Sequence, residues 1–115
     1  MKILIVDDDP LAGEMVGAIL EAVGHDCQLV EGGIAALAVM AAPAGIELVI
    51  SDLNMPLLSG LELFGEIRER GLQTPFILLT GDDPVPLRAQ APGLAACLMK
   101  DASLEDSLPV AVARL

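Results

Sequence analysis

The chain has 115 residues, 54% of them hydrophobic, with 17 acidic and 6 basic side chains for a formal net charge of −11. This size suits one domain with a single core, while six scattered basic residues (Lys2, Arg68, Arg70, Arg88, Lys100, Arg114) exclude the clustered Lys and Arg that direct nucleic-acid binding requires. No apolar run approaches the roughly 18 residues needed to span a bilayer, and the N-terminal run meets acid too early for a secretion signal, so a cytoplasmic protein without membrane association is expected.

Apolar runs alternate with helix-period segments along the chain, the pattern of a parallel sheet covered by helices on both faces. The first strand is expected at 2–6, running into Asp7, Asp8 and Asp9. Asp9 before Pro10 has the form of a helix N-cap with proline at the first helical position. In the helix that follows, Leu11, Met15, Val16, Ile19 and Val23 recur at spacings of three and four, which predicts that they form the buried face. Gly13 and Gly17 share that helix at about 1 kcal/mol each against Ala. His25, after Gly24, reads as a turn residue, and a second strand is expected at 27–30 and a second helix at 33–42.

The third strand, 47–51, ends in "LVISDLNMP" and delivers Asp52. Gly60 opens a third helix over 60–70 that buries Leu61, Phe64 and Ile67 and turns Glu62, Glu66 and Arg70 outward. Strands at 75–79 and 95–99 deliver Thr80 and Lys100. Asp82 and Asp83 read as loop acids suited to capping the next segment, with action on a hydrolytic water beside Thr80 as the alternative for Asp82. Pro84, Pro86, Pro92 and Pro109 disturb the last third: the fourth helix should be little more than one turn between Pro86 and Pro92. The fifth, capped by Ser103 with Asp106 three residues on, should kink or restart at Pro109. Cys27 and Cys97, with no Cys-x-x-Cys or Cys/His cluster, read as buried free thiols, and Lys2 as decoration of the opposite sheet edge.

In a doubly wound sheet, ligands bind beyond the carboxyl ends of the strands. Asp7, Asp8, Asp52, Thr80 and Lys100 therefore converge on one edge. Clustered carboxylates make a hard, oxygen-rich site for a cation such as Mg²⁺, and a carboxylate can accept a phosphoryl group as nucleophile. The Thr80 hydroxyl and the Lys100 ammonium match the oxygens that carry charge during phosphoryl transfer.

The segments "ILIVDDDP", "LVISDLNMPLLSGLEL", "TPFILLTG" and "CLMKD", in this order and spacing, resemble the receiver domain of bacterial two-component response regulators. The resemblance covers nearly the whole chain, 1–115, with no effector domain expected. It implies an α/β, flavodoxin-like, doubly wound parallel sheet of five strands in the order 2-1-3-4-5 with helices on both faces, helices 4 and 5 short or kinked. It further implies that Asp52 is the phosphoacceptor and that Asp7 and Asp8 are the acidic pair. Asp7, Asp8, Asp52 and the backbone carbonyl of Asn54 would then form the metal site, with Asp8 a direct ligand, Thr80 the switch hydroxyl and Lys100 the phosphoryl-binding lysine. The metal would be Mg²⁺, with Mn²⁺ as the alternative, and the donor a sensor histidine kinase or histidine phosphotransfer protein; the downstream target is not implied. Such a domain catalyses only its own phosphorylation and dephosphorylation. Two departures stand out: Cys97 occupies the place of the usual aromatic, and Asp101 that of the usual proline, which predicts a trans Lys100–Asp101 bond and a signal that bypasses the fourth helix, fifth strand and fifth helix. The competing readings are a docking module on the same fold and a haloacid dehalogenase-like phosphatase, whose Asp-x-Asp pair "DDDPL" would also satisfy.

Overall fold

Ten elements alternate along residues 1–115 of the computed structural model: β1 (Lys2–Val6), α1 (Pro10–Glu21), β2 (Asp26–Val30), α2 (Gly33–Ala41), β3 (Leu48–Asp52), α3 (Gly60–Glu69), β4 (Phe76–Thr80), α4 (Pro84–Gln90), β5 (Ala96–Met99) and α5 (Leu104–Ala113). The strands pair in parallel in the order β2-β1-β3-β4-β5, the topology that the resemblance implies.

Strand alternation sorts the aliphatic residues into two layers. Ile3, Ile5, Leu48, Ile50, Ile77 and Leu79 pack against Val16 and Leu20 of α1 and Leu104, Leu108 and Val112 of α5. The intervening residues, Leu4, Val6, Val49, Phe76 and Leu78, face Ala36 of α2, Leu63 and Ile67 of α3, and Ala91 and Leu94 after α4. With both faces covered, β1, β3 and β4 are buried almost throughout.

The buried face of α1 differs from the expected one. Gly13, Val16, Gly17 and Leu20 face the sheet, while Leu11 and Met15 are 66% and 63% exposed and Val23 is exposed as well. The reason is close approach: a β-carbon on Gly13 or Gly17 would lie 3.3 or 3.4 Å from the Leu29 methyl groups, so the two glycines let Leu29 of β2 seat against the helix. In α3, Leu63 and Ile67 take the fully buried positions, with Leu61 and Phe64 half-buried beside them.

The prolines act differently from expectation too. α4 starts at Pro84, not after Pro86, and spans 7 residues capped by Asp83, whose carboxylate accepts from the Val85 N–H at 3.0 Å. Pro84 and Pro86 fall in the first turn, where backbone N–H groups have no intrahelical acceptor to lose. α5 runs unbroken through Pro109, with no restart. Its Ser103 makes no side-chain cap; instead the Ser103 N–H and hydroxyl both donate to Asp101. No peptide bond is cis, Lys100–Asp101 included. Cys27 and Cys97 are free but half-buried rather than buried. Lys2 is more than decoration: its ammonium donates to the Ala44 carbonyl at 2.7 Å and ties down the segment before β3.

These packing assignments predict sharply different costs along one helix. In urea denaturation, Leu20→Ala should lose about 2–5 kcal/mol, whereas Met15→Ala should stay within about 0.5 kcal/mol. Asp9→Ala, which removes the acceptor for the Leu11 and Ala12 N–H groups, should cost about 1 kcal/mol.

Candidate functional site

Five parallel strands bring their carboxyl ends to a common edge, and the polar residues begin where the aliphatic ones stop. Asp7 follows β1 directly; its N–H still donates to Val30 at 3.1 Å. Its carboxylate is almost buried and accepts the Asp9 N–H at 2.9 Å, which turns the chain. That turn exposes Asp8 at the site and sends Asp9 onto α1, where its carboxylate accepts from Leu11 at 3.0 Å and Ala12 at 3.5 Å.

Asp52 is the last residue of β3, its side chain 14% exposed. The chain beyond it is fixed by Leu53 N–H to Leu79 carbonyl and Gly60 N–H to Leu53 carbonyl, both 2.8 Å. Gly60 has to be glycine, since a β-carbon there would overlap the Asp52 carbonyl oxygen and lie 2.6 Å from a Leu78 methyl. α3, whose Ser59 and Glu62 form a capping box, thus starts in direct contact with the Asp52 peptide.

Thr80 ends β4, fully buried, and its hydroxyl oxygen accepts the Asp82 N–H at 3.1 Å. Lys100 is fastened by its own N–H to the Thr80 carbonyl at 2.7 Å. Its ammonium donates to Asp7 at 2.9 Å and to Asp52 at 3.5 Å. The primary pairing with Asp7 is the feature of the site that sequence reasoning missed, since strand-end position alone does not say which acid the lysine prefers. Asn54 lies two residues past Asp52 in the exposed loop. Neither Asn54 nor the Thr80 hydroxyl hydrogen-bonds to the acids or the lysine.

One carboxylate oxygen from each of Asp7, Asp8 and Asp52 lies within 4.8 Å of the others. Burial pushes the Asp52 carboxyl above the usual aspartate range, and the charges of Asp7 and Asp8 push the same way against the pull of Lys100. For Lys100, burial would lower the ammonium, yet the hydrogen bond to Asp7 and the charges of Asp52 and Asp7 outweigh it and hold the group above the ordinary lysine value. Three clustered carboxylates against one ammonium leave an excess of negative charge on hard oxygen donors, and that donor set fits a divalent cation of the Mg²⁺ type.

The chain matches the response regulator receiver domain family over residues 3–111. Sensor histidine kinase RcsC of Salmonella typhimurium is 34% identical over 107 residues, 91% of this chain but 11% of the kinase. Response regulator MprA of Mycobacterium avium is 36% identical over 109 residues, 95% of this chain and 44% of that regulator. The chain therefore spans between a tenth and a half of the length of these relatives. Among solved structures, response regulator TrrA from Thermotoga maritima in complex with Mg²⁺-BeF superposes with a TM-score of 0.86 at 31% identity, covering 98% of this chain and 96% of that one. Chemotaxis response regulator CheY4 of Vibrio cholerae gives 0.84 at 30% identity, with coverage of 98% and 96%. Fold, site geometry and sequence agree: the chain belongs to the response regulator receiver domain family.

Proposed function

We propose that Asp52 is the phosphoacceptor of this receiver domain, and that the chain catalyses its own phosphorylation from a phosphohistidine on a sensor kinase or phosphotransfer protein. The observation that carries this reading is the grouping of Asp7, Asp8 and Asp52 within 4.8 Å with Lys100 bridging two of them. An Asp52 carboxylate oxygen attacks phosphorus, the phosphorus–nitrogen bond to the donor imidazole breaks, and its electron pair stays with the imidazole. Asp7, Asp8, Asp52 and the Asn54 carbonyl would hold Mg²⁺, or Mn²⁺ in its place. The ion would supply positive charge to the phosphoryl oxygens and relieve the repulsion among the acids.

Lys100 and Thr80 act on the transferring group from the other side. The ammonium already faces Asp52 and is positioned to pair with a phosphoryl oxygen, and the Thr80 hydroxyl stands at the adjacent strand end. The protein donor gains a surface on α1, where Leu11 and Met15 are exposed. There α1 and α5 enclose an apolar groove of about 570 Å³ that includes Lys100. The phosphatase alternative loses its second aspartate: an Asp-x-Asp pair here would be Asp7 and Asp9, and Asp9 is committed to capping α1.

Incubation with acetyl phosphate and Mg²⁺ should add the mass of one phosphoryl group, and Asp52→Asn should abolish the gain. Asp8→Ala should remove the Mg²⁺ dependence together with most of the rate, whereas Asp9→Ala should keep both. A gain that survives Asp52→Asn would assign the acceptor elsewhere.

The raised Asp52 carboxyl gives a second test. Its contribution to stability is complete below the ordinary aspartate pKa, about 3.9, where folded and unfolded chains are both protonated. It is lost as pH rises through the higher folded value, because the folded chain must then ionise a buried acid beside Asp7 and Asp8. Without Mg²⁺, Asp52→Asn should therefore denature at higher urea than the parent at pH 7, and the advantage should shrink as the pH is lowered toward about 4.

A further inference from the structure

We propose that Ser51 is a positioning residue for Asp52: its buried hydroxyl fixes the peptide that carries the phosphoacceptor, and through it the direction of the carboxylate. The inference rests on the reading of Asp52 as phosphoacceptor and adds a residue to that machinery.

Ser51 is fully buried within β3. Strand alternation turns it away from the acids and into the layer between the sheet and α3. Its neighbours on that face are aliphatic: Val49 on its own strand, and Val6 and Leu78 at the same level on β1 and β4. Packing alone calls for an apolar side chain there, and a hydroxyl is tolerated in such a place only when hydrogen-bonded. It is bonded, to the carbonyl oxygen of Asp52 at 2.9 Å.

That carbonyl is a critical one. It is the oxygen against which Gly60 is pressed, so closely that no β-carbon fits. The other end of the same peptide, the Leu53 N–H, donates to Leu79 at 2.8 Å. The plane joining Asp52 to Leu53 is thus held by Ser51 at its oxygen, by Leu79 at its nitrogen and by Gly60 from the side. Rotation of this plane would swing the Asp52 carboxylate relative to Asp7 and Asp8 and carry Asn54 with it. A cation shared among three carboxylates is sensitive to such a change, because groups that orient ligands tune affinity without touching the ion. Without the hydroxyl, the carboxylate gains angular freedom in the unliganded protein, and that freedom must be given up when a cation or phosphoryl group binds.

The test uses four proteins: the parent, Ser51→Ala, and the pair Ser51→Thr and Ser51→Val, which match in shape and differ in the hydroxyl. Three quantities are measured: the Asp52 carbonyl ¹³C shift, the Mg²⁺ midpoint from NMR titration of the Asp7, Asp8 and Asp52 amides, and the initial rate of phosphorylation by acetyl phosphate. Ser51→Ala and Ser51→Val should move the carbonyl carbon upfield, raise the Mg²⁺ midpoint and slow phosphorylation, the last two by about three- to tenfold, the worth of one hydrogen bond. Ser51→Thr should stay within about twofold of the parent. An unchanged carbonyl shift and Mg²⁺ midpoint in Ser51→Ala, or equal defects in Ser51→Thr and Ser51→Val, would overturn the proposal. If the Mg²⁺ and ¹³C differences hold but the parent takes up no phosphoryl group, the positioning role stands and the phosphoacceptor reading falls.

Discussion

Mutual repulsion among Asp7, Asp8 and Asp52 is the constraint that the rest of the structure has to withstand. Two unit charges at about 4 Å repel by about 1 kcal/mol in water and by about 4 kcal/mol near a protein surface, and here three acids crowd one edge with a single ammonium to answer them. The resistance comes from backbone, not from further charges. Asp7 and Asp52 stand at the ends of adjacent paired strands, β1 and β3, whose aliphatic residues are sealed on both faces by helices. The acids cannot separate without pulling ladder hydrogen bonds and core side chains with them. Burial raises the Asp52 carboxyl, and the charges of Asp7 and Asp8 add to that rise against the pull of Lys100.

Much of this was legible in the sequence, for reasons that are local. Buried parallel strands read as short aliphatic runs, and the residue that ends each run falls at the same edge, so the five site residues could be located without knowing a single distance. Asp9 was separable from its neighbours because proline follows it. Misreadings arose where side chains were weighed one at a time. Hydrophobic periodicity assigned Leu11 and Met15 to the core of α1, because a glycine scores as nothing although Gly13 and Gly17 are what let β2 come close. Proline was read as a breaker at Pro86, where a first-turn position makes it harmless. Ser103 looked like a cap, but its hydroxyl is drawn to Asp101, whose carboxyl that bond holds below the usual range. The first outcome depends on what lies across a gap in space, the other two on position within the first turn of a helix and on an acid two residues away.

The side of the sheet beyond Thr80 is built more loosely than the site itself. α4 has no fully buried residue along its 7 positions; Leu87 packs partly against the core, and the buried contacts on that flank come from Ala91 and Leu94 after its end. Leu78 and Cys97 are register partners on β4 and β5, facing the same layer. Where the receiver pattern has an aromatic ring, this chain has a half-buried thiol, whose pKa burial raises against the pull of Arg88. This flank of the sheet thus relies on the chain after α4, where Ala91 and Leu94 are buried, more than on α4 itself.

Lys100 connects these two regimes. With its ammonium closer to Asp7 than to Asp52, it neutralises the acid that is most deeply buried and leaves Asp52 the less closely paired and more exposed of the two. A cation held by Asp7 and Asp8 would compete with Lys100 for Asp7 and would leave the ammonium its contact with Asp52. The backbone of Lys100 is meanwhile fixed to the Thr80 carbonyl, so its side chain can turn while its backbone stays at the end of β4. The charge imbalance at the edge of the sheet would thereby do two things at once: favour a cation, and free the lysine from Asp7 once that cation is bound.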